Sequence, residues 1–335
     1  MKAWSELSAQ GRTRRLRNLA IQALTQYDLP VNKVRLIEVA TNTLFRVDCT
    51  DGKKYALRVC TPGEHSFHDA QVEMRWLEVL NEKTTLPVPK AVANRDGKLI
   101  TYCQIDSVPE ERRCVLFEWI PGKAIAERLS PEIYHKLGIL MAQMHRFAAG
   151  YFDSGASALD SWPEDMRPMR WDKVFYYPEE PIVLYEDTYQ KYFTKERLTL
   201  IEAAQADVEP YLASLYQKPS EAMIIHGDLH FWNVHVWRGQ LFPLDFEDLM
   251  WGYPIQDVAI TLWYGQERED YGDLRAAFQA GYSDIRPWPG MGEEIDGLIL
   301  ARTLMFINYA AHVLTEPEEY IERQCEKLKQ WLMNR

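Results

Sequence analysis

Residues 224–248 read IIHGDLHFWNVHVWRGQLFPLDFED, and this stretch decides how the fold is interpreted. The apolar residues before Gly227 indicate a short buried strand that ends in a sharp turn, which glycine permits. The segments NVHVW and LFPLDF, separated by RGQ, predict a β-hairpin. This hairpin would bring Asn233 close to Asp245, with Asp228 at the mouth of the same loop.

These oxygen-bearing side chains fit a specific chemistry. Mg²⁺ takes oxygen ligands and is usually held by one or two protein groups together with substrate phosphates. Asn233 and Asp245 could hold the metal, which leaves Asp228 to accept a proton from an alcohol. The spacing H-x-D-x(4)-N, followed by an Asp on a hairpin, is the arrangement of protein-kinase-like phosphotransferases, and it is formed here by His226, Asp228, Asn233 and Asp245.

The three histidines of this stretch allow a second interpretation, a zinc site. His226, His230 and His235 lie four and five residues apart, which is close to the spacing of zinc ligands on a helix. Gly227 and the flanking strands disfavour a helix, and the sequence contains no HExxH or CxxC motif. We therefore expect His226 to make hydrogen bonds within the loop and His230 to be structural or to contact phosphate.

Composition narrows the class of protein. A chain of 335 residues with 47% hydrophobic and 26% charged residues is long enough for two lobes and typical of a globular protein. The formal net charge of −11 argues against a nucleic-acid partner, because phosphate contacts need a basic face. It is mildly compatible with a cationic substrate, but surface solubility is the preferred explanation of the charge. Oligomeric state stays open between monomer and homodimer.

The cysteines and the hydropathy of the chain indicate the cellular compartment. The five cysteines are scattered and form no CxxC pair, which excludes a disulfide framework and indicates a reducing compartment. No apolar run approaches the roughly 20 residues that span a bilayer, and the first 20 residues lack the apolar segment of a signal peptide. These features predict a cytoplasmic protein with no membrane partner.

The order of predicted elements indicates an α+β fold with two lobes. The first 120 residues combine a leading helix over 11–29, strand-like segments and an amphipathic helix over 68–83. The strand-like segments read KVRLIEV, TLFRVDC, KYALRVC, KLITYCQI and RCVLFEWI. From Ser130, a plausible helix cap, helical periodicity dominates. An irregular aromatic stretch covers 151–181, and further helices are predicted over Leu184–Tyr216, Ile255–Tyr264, Leu274–Tyr282, Glu293–Leu314 and Pro317–Leu332. The predicted domains are a sheet-rich lobe, 1–120, and a mainly helical lobe, 121–335.

The quoted motifs resemble those of the aminoglycoside phosphotransferase and choline kinase family. The segment HGDLHFWNV followed by LDFEDLMWGYPIQDVA is similar to its signature, and VLFEWIPGKAI looks like its segment between lobes. Within this family, the quoted motifs are most similar to those of the type II homoserine kinase and stress-response kinase branch. The resemblance implies a two-lobed protein-kinase-like fold, with an N-terminal antiparallel sheet lobe, and a kinase that uses ATP and Mg²⁺.

The resemblance also implies roles for particular residues. Asp228 would orient or deprotonate the acceptor hydroxyl, and Asn233 and Asp245 would hold Mg²⁺. Asp257 would support the catalytic loop, whereas from the sequence alone it could simply cap a helix. The implied nucleotide-binding residues are Arg58, Glu73, Thr41, Asn42, Glu118, Trp119 and Ile120. Of these, Glu73 would pair with Arg58, which contacts the ATP phosphates, and the backbone of 118–120 would meet the adenine.

Two departures concern nucleotide binding. Arg58 stands where protein kinases place lysine, and the two side chains are not interchangeable at precise sites. The loop EVATNTLF contains no glycine, so small side chains would replace the backbone approach that a glycine-rich loop allows.

The sequence predicts transfer of the γ-phosphoryl group of ATP to a hydroxyl of a small molecule such as an amino alcohol or amino sugar. A protein serine/threonine kinase of the stress-response type and a nucleotide-binding pseudokinase are the alternatives. We expect the stretch 151–181 and the helices after Gly281 to form the acceptor site.

Overall fold

The computed structural model describes residues 2–152, 162, 167–178 and 180–335. The described chain forms two compact units, of which the first comprises Met1–Gly122 and His235–Glu247 and the second Lys123–Val234 and Asp248–Arg335. The chain therefore returns to the first unit for the β-hairpin of the opening stretch. Part of the predicted aromatic stretch, namely 153–161, 163–166 and 179, lies outside the described residues.

The first unit is built on an antiparallel sheet. Its five strands lie in the order β1-β2-β3-β5-β4 and span Val31–Val39 (β1), Thr43–Cys49 (β2), Lys54–Val59 (β3), Ile100–Cys103 (β4) and Arg112–Glu118 (β5). Two helices accompany the sheet, Ala9–Leu24 (α1) and Phe67–Lys83 (α2). The sequence pattern of β2 predicted a strand correctly, because alternate residues from Thr43 to Cys49 are buried. The apolar stripe of α1 packs on this sheet through Leu19, Ala20, Ala23 and Leu24.

The second unit is mainly helical. Its helices span Pro131–Tyr151 (α3), Lys195–Leu215 (α4), Pro254–Gly265 (α5), Tyr271–Ser283 (α6), Gly292–Val313 (α7) and Glu318–Met333 (α8). Helix α3 begins as expected, with the Ser130 side chain accepting a hydrogen bond from the N–H of Ile133. Helices α3 and α6 cross closely at Gly281, where a Cβ would lie 1.9 Å from the carbonyl oxygen of His135.

The predicted start of α4 was wrong. The sequence predicts one helix from Leu184, but the α-helix begins at Lys195, after a short 3₁₀ turn at Asp187–Tyr189. The reason is local, because the Thr194 side chain caps the helix by accepting a hydrogen bond from the N–H of Arg197.

Five further strands in the described part of the chain are short, and most of them lie within or next to the stretch 224–248. They span Lys123–Ala124 (β6), Met223–Ile225 (β7), Val234–Trp237 (β8), Gln240–Pro243 (β9) and Met250–Gly252 (β10). Strands β8 and β9 form the predicted hairpin, with Arg238 and Gly239 at positive φ in its turn. Strand β10, which was not predicted, pairs antiparallel with β7 and brings Met250 opposite Ile225. No helix among the described residues has both the length and the apolar character that crossing a bilayer requires.

Candidate active site

A buried carboxylate, Asp257 on α5, holds the turn that follows β7. Its oxygens accept hydrogen bonds from the backbone N–H groups of His226 at 3.0 Å and Gly227 at 2.8 Å. His145 on α3 contacts the same carboxylate at 2.9 Å and Tyr282 at 3.0 Å. Burial alone would raise the pKa of Asp257, but the hydrogen bond and charge of His145 lower it below its ordinary value. Asp257 thus lies beneath the loop, as the resemblance implies, and does not cap its own helix.

Gly227 has no space for a side chain. Its φ is +80°, and a Cβ there would lie 1.9 Å from the carbonyl oxygen of Asp248. Only glycine fits such a position without strain. The sharp turn carries the chain from the buried strand β7 directly to Asp228.

The carboxylate of Asp228 receives four hydrogen bonds. Oδ1 accepts from the Tyr264 hydroxyl at 2.9 Å and from Nη2 of Arg302 at 3.1 Å. Oδ2 lies 3.2 Å from Nε2 of His230 and accepts from Nδ2 of Asn233 at 3.1 Å. Burial would raise the pKa of Asp228, but His230, Arg302 and Tyr264 together lower it. The group is therefore held as a carboxylate, the form that can orient a hydroxyl.

The histidines of the loop are part of the protein's own hydrogen-bond network. Nδ1 of His226 accepts from the N–H of Asp228 at 3.3 Å, which is the predicted bond within the loop. Nδ1 of His230 accepts from the N–H of Trp232 at 3.1 Å, which leaves the N–H of Nε2 to donate to Asp228. Across the part of the chain that the structure describes, no three His, Cys, Asp or Glu side chains are grouped to hold a metal.

The two predicted metal ligands belong to different units. Asn233, in the second unit, uses its amide nitrogen for the backbone and side-chain oxygens of Asp228. Its amide oxygen is thus the atom suited to a cation. Asp245, in the first unit, follows β9 with a positive φ of 59° and is exposed. Both side chains offer the hard oxygen atoms that Mg²⁺ prefers, so the residues fit the metal that the family implies.

In the first unit, Arg58 is enclosed by two acidic side chains. It donates to Glu73 through Nη1 at 3.0 Å and Nη2 at 2.5 Å, and Nη1 lies 3.5 Å from Glu247. Burial would lower the pKa of Arg58, but Glu247 and Glu73 raise it, so the guanidinium stays charged. Burial raises the pKa of Glu247 to about 8, although the charge of Arg58 opposes this. The predicted pairing of Arg58 with Glu73 is present, and its role toward phosphate stays a prediction.

The glycine-free loop is anchored by Asn42. The side-chain oxygen of Asn42 accepts from the N–H of Thr61 at 3.0 Å, and its nitrogen donates to Glu247 at 2.5 Å. Asn42 therefore fixes the loop to the rest of the unit, whereas Thr41 is exposed. Contact of either residue with phosphate stays a prediction.

In the segment 118–120, which was predicted to contact adenine, two backbone N–H groups already donate hydrogen bonds within the protein. The N–H groups of Glu118 and Trp119 donate to the carbonyl oxygens of Lys90 at 2.9 Å and Lys54 at 3.2 Å. A bound base would therefore have to use the N–H of Ile120 or the carbonyl groups of the segment.

Three residues with evident importance to the site were not predicted, namely Glu247, Tyr264 and Arg302. Glu247 lies two residues after Asp245 in the quoted signature and could have been found as a third acidic side chain. Tyr264 and Arg302 lie on helices α5 and α7, 36 and 74 residues from Asp228. No local pattern links them to the loop.

Comparison with known proteins identifies the class. The model of the phosphotransferase enzyme family, APH, matches residues 33–293, which is most of the chain. The chain therefore belongs to this family of phosphotransferases, as predicted from the sequence.

Individual relatives are more distant. The amicoumacin kinase of Bacillus subtilis (strain 168) is 22% identical over 253 residues, which cover 72% of this chain and 67% of that protein. The structure of a microcompartment-associated aminopropanol kinase superposes with a TM-score of 0.74 at 21% identity, covering 95% of this chain and 98% of that one. An amicoumacin kinase in complex with AMP-PNP, Ca²⁺ and Ami superposes with a TM-score of 0.70 at 16% identity, with 95% and 96% covered. These structures confirm the predicted protein-kinase-like fold.

Proposed function

We propose that this protein transfers the γ-phosphoryl group of ATP, in the presence of a divalent cation, to a hydroxyl group of a small molecule. The observation that carries the proposal is the Asp228 carboxylate, ionised and held in one orientation by four donors, on a loop whose sequence matches the family signature. The named kinases among the relatives, and the AMP-PNP and Ca²⁺ bound to one of them, support the choice of nucleotide and cation.

In this function each residue has a defined task. The acceptor oxygen forms a bond to the γ-phosphorus while the bond from that phosphorus to the bridging oxygen breaks, and the hydroxyl proton leaves toward Asp228. A bound cation would neutralise phosphate charge, and Asn233 and Asp245 would hold it. Arg58, fixed by Glu73, would add positive charge at the nucleotide. The roles assigned to Thr41, Asn42 and residues 118–120 belong to the same proposal.

The acceptor class follows from the relatives and from the charge of the chain. We propose an amino alcohol or amino sugar, because an aminopropanol kinase is among the similar structures, and the net charge of −11 is compatible with a cationic ligand. A monomer or homodimer in the cytoplasm is proposed from the sequence, and all five cysteines are free.

A phosphotransfer screen tests the proposal. Wild-type protein is incubated with γ-labelled ATP and Mg²⁺ and with 1-amino-2-propanol, aminoglycosides, neutral sugars and a generic protein substrate. We expect label on an amino alcohol or amino sugar, and loss of this transfer in Asp228→Ala and Asp245→Ala. Asp270→Asn, at an exposed position outside the site, is the matched control.

The alternatives have their own outcomes. Label on the protein substrate alone would identify a protein kinase. Calorimetric binding of Mg-ATP without any transfer would identify a pseudokinase. Full turnover in either Asp variant would show that the assigned roles are wrong.

A further inference from the structure

Two residues outside the loop, Tyr264 and Arg302, hold one oxygen of Asp228, and we infer that they are positioning residues that leave Oδ2 to meet the acceptor hydroxyl. The inference rests on the proposed function and assigns separate roles to the two oxygens of one carboxylate. It follows from where the four donors to Asp228 originate.

All the acceptor positions of the Asp228 carboxylate are used. An ionised carboxylate has about four lone-pair sites, and Asp228 has four donors within 3.2 Å, two on each oxygen. A hydroxyl that binds Asp228 must therefore displace one of them. The question is which oxygen can release a donor.

The donors on Oδ1 belong to helices. Tyr264 lies in the last turns of α5, and Arg302 lies in the middle of α7 and is 2% exposed. Arg302 is itself fixed, because Nη1 donates to the Tyr176 hydroxyl at 2.7 Å and the guanidinium lies over the Phe306 ring at 5.0 Å. These contacts hold the Arg302 guanidinium on Oδ1, and the Tyr264 ring, which carries the other donor, packs on Trp263 and Phe306.

The two helices are also locked to each other beside Asp228. The Trp263 ring packs on Phe306 with centroids 4.2 Å apart, and its Nε1 donates to Thr303 at 2.9 Å. Residues 263 and 264 thus face 302, 303 and 306 across one contact. A donor pair on such a frame keeps Oδ1 in place throughout turnover.

The donors on Oδ2 belong to the loop itself. His230 and Asn233 follow Asp228 by two and five residues, in a segment without helix or strand. Besides Oδ2, the buried His230 ring bonds one loop amide and packs on the rings of Tyr264 at 3.9 Å and Phe231 at 6.2 Å, and a rotation of this one loop side chain would release Oδ2. Oδ2 is therefore the oxygen at which an incoming hydroxyl can replace a donor.

The energetics of Arg302 agree with this role. Its Nε has no hydrogen-bond partner among the described residues, and a buried ion pair seldom stabilises a fold more than apolar packing would. The free-energy cost of burying Arg302 is explained if this residue orients the reacting carboxylate of Asp228.

The test uses Tyr264→Phe, which removes one hydroxyl and keeps the ring that packs on His230. Turnover is measured as Mg-ATP hydrolysis by water and as transfer to 1-amino-2-propanol. We expect kcat to fall about tenfold or more, the factor that corresponds to one hydrogen bond to a charged group, while KM for ATP stays unchanged. Arg302→Lys keeps the charge but cannot reach Tyr176 and Asp228 together, so kcat should fall at least as far.

The matched control is Tyr134→Phe, because the Tyr134 hydroxyl is buried in the same unit and has no hydrogen-bond partner among the described residues. A loss of kcat in Tyr264→Phe with an unchanged control supports the inference. If Tyr264→Phe folds and keeps kcat within about twofold, or if its loss is matched by the control, the inference is overturned. Wild-type protein that binds Mg-ATP but turns over neither substrate would instead overturn the proposed function itself, and this role with it.

Discussion

The guanidinium of Arg58 on β3 and the carboxylate of Glu73 on α2 are joined by two parallel hydrogen bonds, 3.0 Å and 2.5 Å long, in a buried position. This fork-to-fork geometry is specific to arginine, since a lysine ammonium presents a single charged point. The pair accounts for the presence of arginine rather than lysine at position 58.

Removal of the Glu73 charge should destabilise the protein. In Glu73→Gln, Arg58 keeps only the more distant Glu247, and an incompletely paired buried charge costs about 3 kcal/mol or more of unfolding free energy. Urea unfolding of wild type and variant measures the difference. The control is Glu132→Gln, which breaks an exposed pair with Lys136 and should leave the unfolding midpoint in place. Equal stability of wild type and Glu73→Gln would contradict the role of the pair.

A methyl group at Gly227 should disrupt the loop. In Gly227→Ala the new Cβ meets the carbonyl of Asp248 at 1.9 Å, at a φ of +80°, so we expect a loss of at least about 2 kcal/mol of unfolding free energy. Turnover should fall with it, because the turn positions Asp228. Gly272→Ala is the control, since nothing lies within 4 Å of its Cβ and alanine favours a helix. That variant should gain about 0.5–1 kcal/mol. A Gly227→Ala protein as stable as wild type would show that the backbone here can relax.

The acid stability of the fold should depend on Asp257. Its pKa is lowered in the folded protein, because the hydrogen bond and charge of His145 outweigh burial. The folded protein therefore holds the proton less tightly than the unfolded chain. The stabilisation is complete above the ordinary pKa of about 3.9 and is lost as the pH falls through the folded value.

Asp257→Asn should remove this dependence. We expect lower stability at pH 7, because the amide lacks the negative charge that interacts with His145 and with two backbone N–H groups. We also expect stability to fall less steeply below about pH 4. Thermal unfolding at a series of pH values measures both effects. An unchanged acid slope in Asp257→Asn would assign the acid sensitivity to other carboxylates.

Chelation should abolish phosphotransfer if the proposed oxygen ligands hold the cation. Excess EDTA is expected to stop turnover, and Mg²⁺ should restore it. Asp245→Asn should raise the Mg²⁺ concentration needed for half-maximal turnover about tenfold or more, because one anionic ligand is replaced by a neutral amide. An Asp245→Asn enzyme with an unchanged Mg²⁺ requirement would remove Asp245 from the metal site.

Local patterns predicted much of the fold. Alternation in TLFRVDC defined β2 to the residue, because one face of that strand packs on α1 and the other does not. The helix at 195–215 was predicted too early, since an apolar residue such as Leu184 fits a buried turn as well as a helix. Strand β10 was missed because its three residues pair with β7 only in the folded chain.

The sequence by itself determined the order of the elements, the segment 224–248 that carries Asp228, Asn233 and Asp245, and the family. These features depend on neighbours within a few residues, where spacing and turn chemistry act directly. Only the tertiary structure decided which groups surround Asp228. Arg302 lies 74 residues away, and its contact with Oδ1 exists because α5 and α7 pack together beside the loop. Packing of this kind depends on the shape of the whole unit, so it has no signature in the segment it serves.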